Sequence, residues 1–258
     1  MATKISPPET GLHPNEDGEG KAMSFFEHLE ELRVRLFRAV LAVGIGMLVS
    51  VVITDPVLNY LKSPYGGTLI ILDPVDSIVV FFRVSLLLGA ILASPMITYQ
   101  IFMFVMPGLT SKERRWVLNA LPATTALFLI GVAFTWFLLV PAYINFLKGF
   151  ESSIFTVNYS ADNYISFITS VLFWHGAAFE TPVVFFILGK LGVVTAGSML
   201  RYWRHAIVGA SVVAAFITPT VDPLTMIVIT IMLVALYALS VVLVGVTTGF
   251  RRAPRQNT

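Results

Sequence analysis

Long apolar runs separated by short polar breaks make up most of the 258-residue chain. Crossing the ~30 Å hydrocarbon core of a bilayer takes about 20 apolar residues in an α-helix. Stretches that meet or approach that length fall at 36–54, 77–105, 118–140, 165–190, 205–217 and 224–248. The pattern predicts an all-α polytopic membrane protein with six spans. The fifth is short, since its thirteen residues rise only about 20 Å. Thr218-Pro-Thr-Val-Asp-Pro223 turns the chain directly after it, so spans five and six are expected to form a tight hairpin where the bilayer thins locally. Between the first two spans, Asp55-Pro56, Ser63-Pro-Tyr-Gly-Gly67 and Asp73-Pro74 interrupt the apolar pattern, and 55–76 is expected to be an ordered or partly helical external loop.

The polar flanks refine this picture. Residues 1–22 are rich in Pro, Gly and acids and lack an apolar core segment, which predicts a disordered tail rather than a cleaved leader. Residues 251–258 form a second, basic tail. Ser24 and Glu27 have capping-box spacing, placing a helix start there. In that helix Phe25, Leu29, Leu32 and Leu36 form one apolar stripe, while Glu27, Glu30 and Glu31 share another face. Glu27 and Glu31 repel by roughly 0.2–0.5 kcal/mol at this spacing, although Arg35 follows Glu31 by four. On spacing alone this is a solvated acidic face before a span.

Composition agrees with the membrane class: 56% of residues are hydrophobic and 12% charged, about half the usual charged fraction. The net charge of +2 says less than where the positive residues lie. Fourteen of the seventeen Lys and Arg residues fall on one side of the predicted spans, which places both termini in the cytoplasm. Cysteine is absent, excluding disulfides and thiol chemistry.

Few polar residues lie inside the spans. Glu180 sits in mid-span, where a charge costs about 2.5–3.5 kcal/mol on insertion scales. Pro182, two residues on, predicts a kink that deprives the Ala178 carbonyl of its amide partner. Arg83 lies near the outer end of span two, with Asp76 on the same helical face, and is expected to snorkel. Enzymatic chemistry finds no support. Ser170, Ser211, His175 and His205 have no catalytic spacing, His28 has no metal-site partner and reads as a surface histidine, and no phosphate-cradling glycine motif exists. The basic residues flank spans and imply no nucleic acid.

A second polar site lies on the cytoplasmic side, where Pro107-Gly-Leu-Thr-Ser-Lys-Glu-Arg-Arg115 sets Glu113 among bases beside Phe102 and Phe104. If this loop meets the first helix, Glu31 and Glu113 can bracket a pair of guanidinium groups through charge-assisted bonds.

In chain order, Phe26-Glu-His-Leu-Glu-Glu-Leu-Arg-Val-Arg-Leu36, Ser94-Pro-Met-Ile-Thr-Tyr-Gln100, Phe104, Pro107-Gly-Leu109, Glu113-Arg114, Phe179-Glu-Thr-Pro182 and Thr218-Pro219 with Asp222 resemble the TatC family, the receptor and core subunit of the twin-arginine translocase. The resemblance spans about 24 to 250. It implies a cup-shaped, six-helix bacterial inner-membrane protein with no catalytic activity and no cofactor or metal. It further implies binding of Arg-Arg signal peptides of folded cargo through Glu31 and Glu113, with Arg33, Phe104, Lys112 and Arg114 supporting that surface. Glu180 matches a buried polar position on the concave face, and Pro64 and Asp222 match external-side positions. The implied partners are TatB-like and TatA-like single-span proteins, with the chain oligomeric inside a mixed complex driven by the proton-motive force. The spacing of Pro219 and Asp222 departs from the shorter Pro-Pro-Asp form of some members. The alternative is a proton-coupled small-solute transporter using Glu180, but the Gly-Ala-Ala-Phe-Glu-Thr-Pro segment has no counterpart in the first three spans, as inverted repeats would require.

Overall fold

The computed structural model describes residues 25–106, 109–149, 158–217 and 223–248. The expectations for both tails, Ser24, Pro107 and the turn carrying Asp222 lie outside the described residues, as does the side chain of Lys112. The described residues are helical almost throughout: α1 (Phe25–Leu61), α2 (Asp76–Val105), α3 (Ser111–Phe134), α4 (Val140–Gly149), α5 (Ala161–Ala178), α6 (Thr181–Lys190), α7 (Ala196–Arg201), α8 (Trp203–Ile217) and α9 (Pro223–Thr248). No strand occurs among the described residues; one isolated parallel bridge joins Ile70 to Ser160.

Among the described residues, five helical stretches are long and apolar enough to cross a membrane, namely Phe26–Leu61, Asp76–Val105, Glu113–Gly149, Ala161–Lys190 and Thr225–Val246, with Trp203–Ile217 a shorter sixth. Each overlaps one of the predicted apolar runs. Their outer faces carry exposed Phe37, Leu48, Val52, Phe137 and Phe216, an apolar surface that only lipid or a partner covers favourably.

The first boundary differs from expectation. Asp55-Pro56 does not end the helix, because α1 runs on to Leu61 with Pro56 inside it. Proline removes a single intrahelical donor, and tertiary contacts hold the next turn: Leu61 is buried, and its carbonyl accepts from Tyr164 Oη at 3.0 Å. The chain turns after Lys62 and passes through Gly66, whose φ of 69° suits a residue without a Cβ.

α1 packs against α2 at a glycine contact. A Cβ on Gly46 would lie 2.6 Å from the Gly89 carbonyl oxygen, so the two backbones approach as closely as glycine allows. Two turns further along, Thr54 and Ser85 share a buried hydroxyl bond of 2.8 Å. The central core is built from Val84 of α2, Val140 and Ile144 of α4, and Ile165, Ile168 and Val171 of α5, all essentially inaccessible. A second cluster ties the end of α2 to α3 and α6 through Phe102, Met106, Val117, Ala120 and Val183.

The fourth span is broken rather than merely kinked. α5 ends at Ala178, Phe179 and Glu180 form a turn, and α6 begins with Pro182 in its first turn, where a missing amide costs no helical bond. Phe179 nests on Gly131, where a Cβ would meet the ring at 2.7 Å. The adjacent Thr135–Leu139 segment is a π-helical turn, with Thr135 Oγ1 donating to the Gly131 carbonyl at 2.8 Å.

Candidate functional site

The first turns of α1 bring together the residues around Glu31. Its carboxylate accepts from Arg35 Nε at 2.8 Å and from a terminal nitrogen of the same guanidinium, both on Oε1. The Glu31 and Arg35 side chains are 13% and 14% exposed, so the solvated face that spacing alone suggests does not include Glu31. Glu27 and Glu30 are exposed as expected. Oε2 of Glu31 is buried without a hydrogen-bond partner and lies 3.8 Å from His28 Nδ1. The acidic face and its arginines line an open hollow of about 390 Å³. Arg33 points outward and pairs with Glu30 at 3.5 Å, both largely solvated, so that ion pair adds little stability.

α1 does meet the C-terminal end of α2. The His28 ring stacks on Phe104, with centroids 4.3 Å apart and planes inclined by 17°. Beside Phe104, Phe102 and Met106 pack on Val117, one turn beyond Glu113. α3 opens with Thr110 as a capping box: its amide and hydroxyl each donate to Glu113 Oε2 at 2.8 Å, and Thr110 Oγ1 accepts from the Glu113 amide at 3.5 Å. Donation to the carboxylate favours its ionised form. Arg114 is exposed in the same turn. Glu31, His28, Phe104, Glu113 and Arg114 thus occupy one end of the bundle, with the two carboxylates on different helices.

The remaining predicted positions lie elsewhere. Glu180 is half-buried at the α5–α6 break and accepts from Thr98 Oγ1 of α2 at 3.4 Å. Pro64 sits in the turn after α1, at the opposite end from Glu31. Its carbonyl accepts from Lys148 Nζ at 3.4 Å, and that ammonium also bonds the Tyr65 carbonyl and lies 4.9 Å over the Tyr65 ring. Arg83 does not engage Asp76. It bonds the Asp162 carboxylate and carbonyl across the α2–α5 interface, while Asp76 accepts from the amides of Leu72 and Asp73 ahead of α2. Among the described residues no group of three His, Cys, Asp or Glu side chains is placed to hold a metal ion.

A family model described as the Sec-independent protein translocase protein TatC matches residues 27–231. The chain belongs to the TatC family. A TatC of Helicobacter pylori is 34% identical over 230 residues, spanning 89% of each chain. The chloroplastic TATC of Arabidopsis thaliana is 36% identical over 231 residues, covering 88% of this chain and 68% of the plant protein. A crystal structure of the twin-arginine translocase receptor TatC is similar with a TM-score of 0.76 and 34% identity, over 86% of this chain and 99% of that one. This TatC-family chain is accordingly a multi-pass membrane component of a protein translocase, not an enzyme. Membership also sets aside the small-solute transporter.

Three contacts in this TatC-family fold escaped the sequence reading. His28 reads as a surface residue until α2 is placed beside it, and its i, i+3 spacing to Glu31 was the available hint. Asp162 and Thr98 are polar residues at a helix start and inside an apolar run, and nothing local connects them to Arg83 or Glu180.

Proposed function

We propose that this chain is the signal-peptide receptor and core of a twin-arginine translocase, and that Glu31 and Glu113 together receive the two arginines of the signal. The supporting observation is the state of Glu31: Arg35 satisfies one carboxylate oxygen, while the other is buried with no hydrogen-bond donor. A buried acceptor left unmade costs about 1–3 kcal/mol, and a guanidinium fork reaching Oε2 removes that cost. Glu113 is prepared differently, with both Thr110 donors on Oε2 and an arginine free to approach from the other side. Phe104 fixes the α1 end through His28, while Arg33, Lys112 and Arg114 supply the surrounding polar rim.

On this reading both termini are cytoplasmic and the protein resides in a bacterial plasma membrane. It nucleates assembly of TatB-like and TatA-like single-span partners under the proton-motive force, with Glu180 as the buried polar partner site and Pro64 and Asp222 acting on the external side. Photocrosslinking from Val34 and from Arg115 to precursors bearing Arg-Arg or Lys-Lys tests the reading. Strong crosslinks to Arg-Arg alone are expected; equal crosslinking to both precursors defeats it.

A further inference from the structure

Helices α3, α6 and α9 leave between them a hollow of about 490 Å³ that the signal surface does not use. Trp116, Ala120 and Ala123 lie on one stripe of α3, and Val183 and Lys190 on one stripe of α6, with Leu243 of α9 on the third side. The two alanines make the space. Trp116 to Ala123 rises about 10 Å along the helix, so the hollow is a slot leading from the charged ends of α3 and α6 toward the apolar middle of the bundle.

The slot has a polar mouth and an apolar shaft. Lys190 Nζ stands 4.1 Å over the centroid of the Trp116 ring and 5.8 Å from that of Phe186. Arg114 and Arg115, exposed in the preceding turn, add positive charge on this side. Glu113 lines a neighbouring crevice with Lys190 and Trp116 and not the slot itself, and its carboxylate repels an anion that approaches it. Tryptophan at a headgroup-level mouth with a basic residue beside it suits the boundary between lipid headgroups and acyl chains.

The lining decides between two occupants. A purely apolar helix face matches the shaft but not the basic, aromatic mouth, whereas an anionic phospholipid matches both. The slot's volume of about 490 Å³ lies within the 300–1,000 Å³ range, roughly, of small-ligand sites. We propose that this slot binds one anionic phospholipid, its phosphate at Lys190 and Trp116 and one acyl chain along Ala120, Ala123 and Leu243. The slot adjoins the proposed signal surface at Glu113, and its test reads lipid retention rather than peptide binding.

Native mass spectrometry of the full chain in mild detergent, with added dioleoyl phosphatidylglycerol or dioleoyl phosphatidylcholine, tests the proposal. The wild type is expected to retain one phosphatidylglycerol with about fivefold preference over phosphatidylcholine, the gain of one lysine near an anionic headgroup. Lys190→Gln abolishes that preference and Lys190→Arg keeps it. Ala123 is exposed, so Ala123→Phe fills the shaft without disturbing the buried core and lowers retention of both lipids about tenfold at an unchanged melting temperature, a drop in the range of truncating a good apolar contact. Chain-free glycerophosphoglycerol does not compete. Retention unchanged in Ala123→Phe, a preference unchanged in Lys190→Gln, or full competition by the chain-free headgroup overturns the proposal. So does an Ala123→Phe variant that keeps its lipid but loses a co-purifying single-span protein, since the occupant is then a helix.

Discussion

The imidazole of His28 lies nearly flat on the ring of Phe104, 4.3 Å away, and this contact ties the first turns of α1 to the last turn of α2. Aromatic pairs add about 0.5–1.5 kcal/mol beyond the area they bury. If the stack holds Glu31 in place for a guanidinium, His28→Ala and Phe104→Ala each lower affinity for an Arg-Arg signal peptide by about two- to tenfold. The double variant is no worse than the weaker single one, and His28→Phe retains binding. Fluorescence titration of the purified chain with a labelled peptide measures this; fully additive losses would show that the two rings act separately.

Arg35 satisfies only one oxygen of Glu31. Replacing Arg35 by Gln strips a mostly buried carboxylate of its cation and is expected to lower stability by about 1–3 kcal/mol, read as a lower melting temperature in detergent. Per folded molecule, affinity for the Arg-Arg peptide rises, because the internal guanidinium no longer shares the carboxylate. A fall in affinity with the fold intact would mean that Arg35 positions Glu31 rather than competing for it.

Glu180 and Thr98 meet at 3.4 Å in a half-buried setting, far along the bundle from Glu31. Glu180→Ala is expected to reduce co-purification of single-span partners severalfold while peptide affinity stays within about twofold, a change near the noise of surface substitutions. Thr98→Val produces a milder version of the same split. Pull-down paired with peptide titration separates the two effects, and loss of peptide binding in a folded Glu180→Ala protein is the contrary result.

The glycines of α1 provide a packing test with its own control. Gly46→Ala places a methyl 2.6 Å from the Gly89 carbonyl oxygen, and backbone cannot swing aside. The expected cost is about 1–3 kcal/mol, as for other overpacked contacts. Gly44→Ala meets nothing within 4 Å and is expected to be neutral or slightly stabilising. Thermal unfolding of the two variants side by side distinguishes close backbone packing from a general dislike of alanine in α1.

Periodicity and length carried most of the architecture. The six apolar runs, the short α8 and the positions of Glu31, Glu113 and Glu180 on helix ends or inside spans all follow from local spacing. The errors share one cause, which is that spacing describes a helix's own faces and not what comes to lie against them. Asp55-Pro56 reads as a break because its local chemistry is that of a turn, yet Tyr164, over a hundred positions away, holds the helix past it. Arg83 reads as sharing a face with Asp76 because its actual partner Asp162 is remote in sequence. Glu31 is set apart from its solvated neighbours by the family resemblance and not by spacing, since the His28–Phe104 stack beside it joins two helices distant in sequence.

Helix α8 carries one last consequence. Its 15 residues rise about 22 Å against a hydrocarbon core of about 30 Å. Where lipid thins to match it, a given transmembrane voltage drops over the shorter distance, so the local electric field is about one third stronger than across the surrounding bilayer. A charge moved along α8 through part of that depth therefore does more electrical work per ångström than the same charge moved anywhere along α1 or α2.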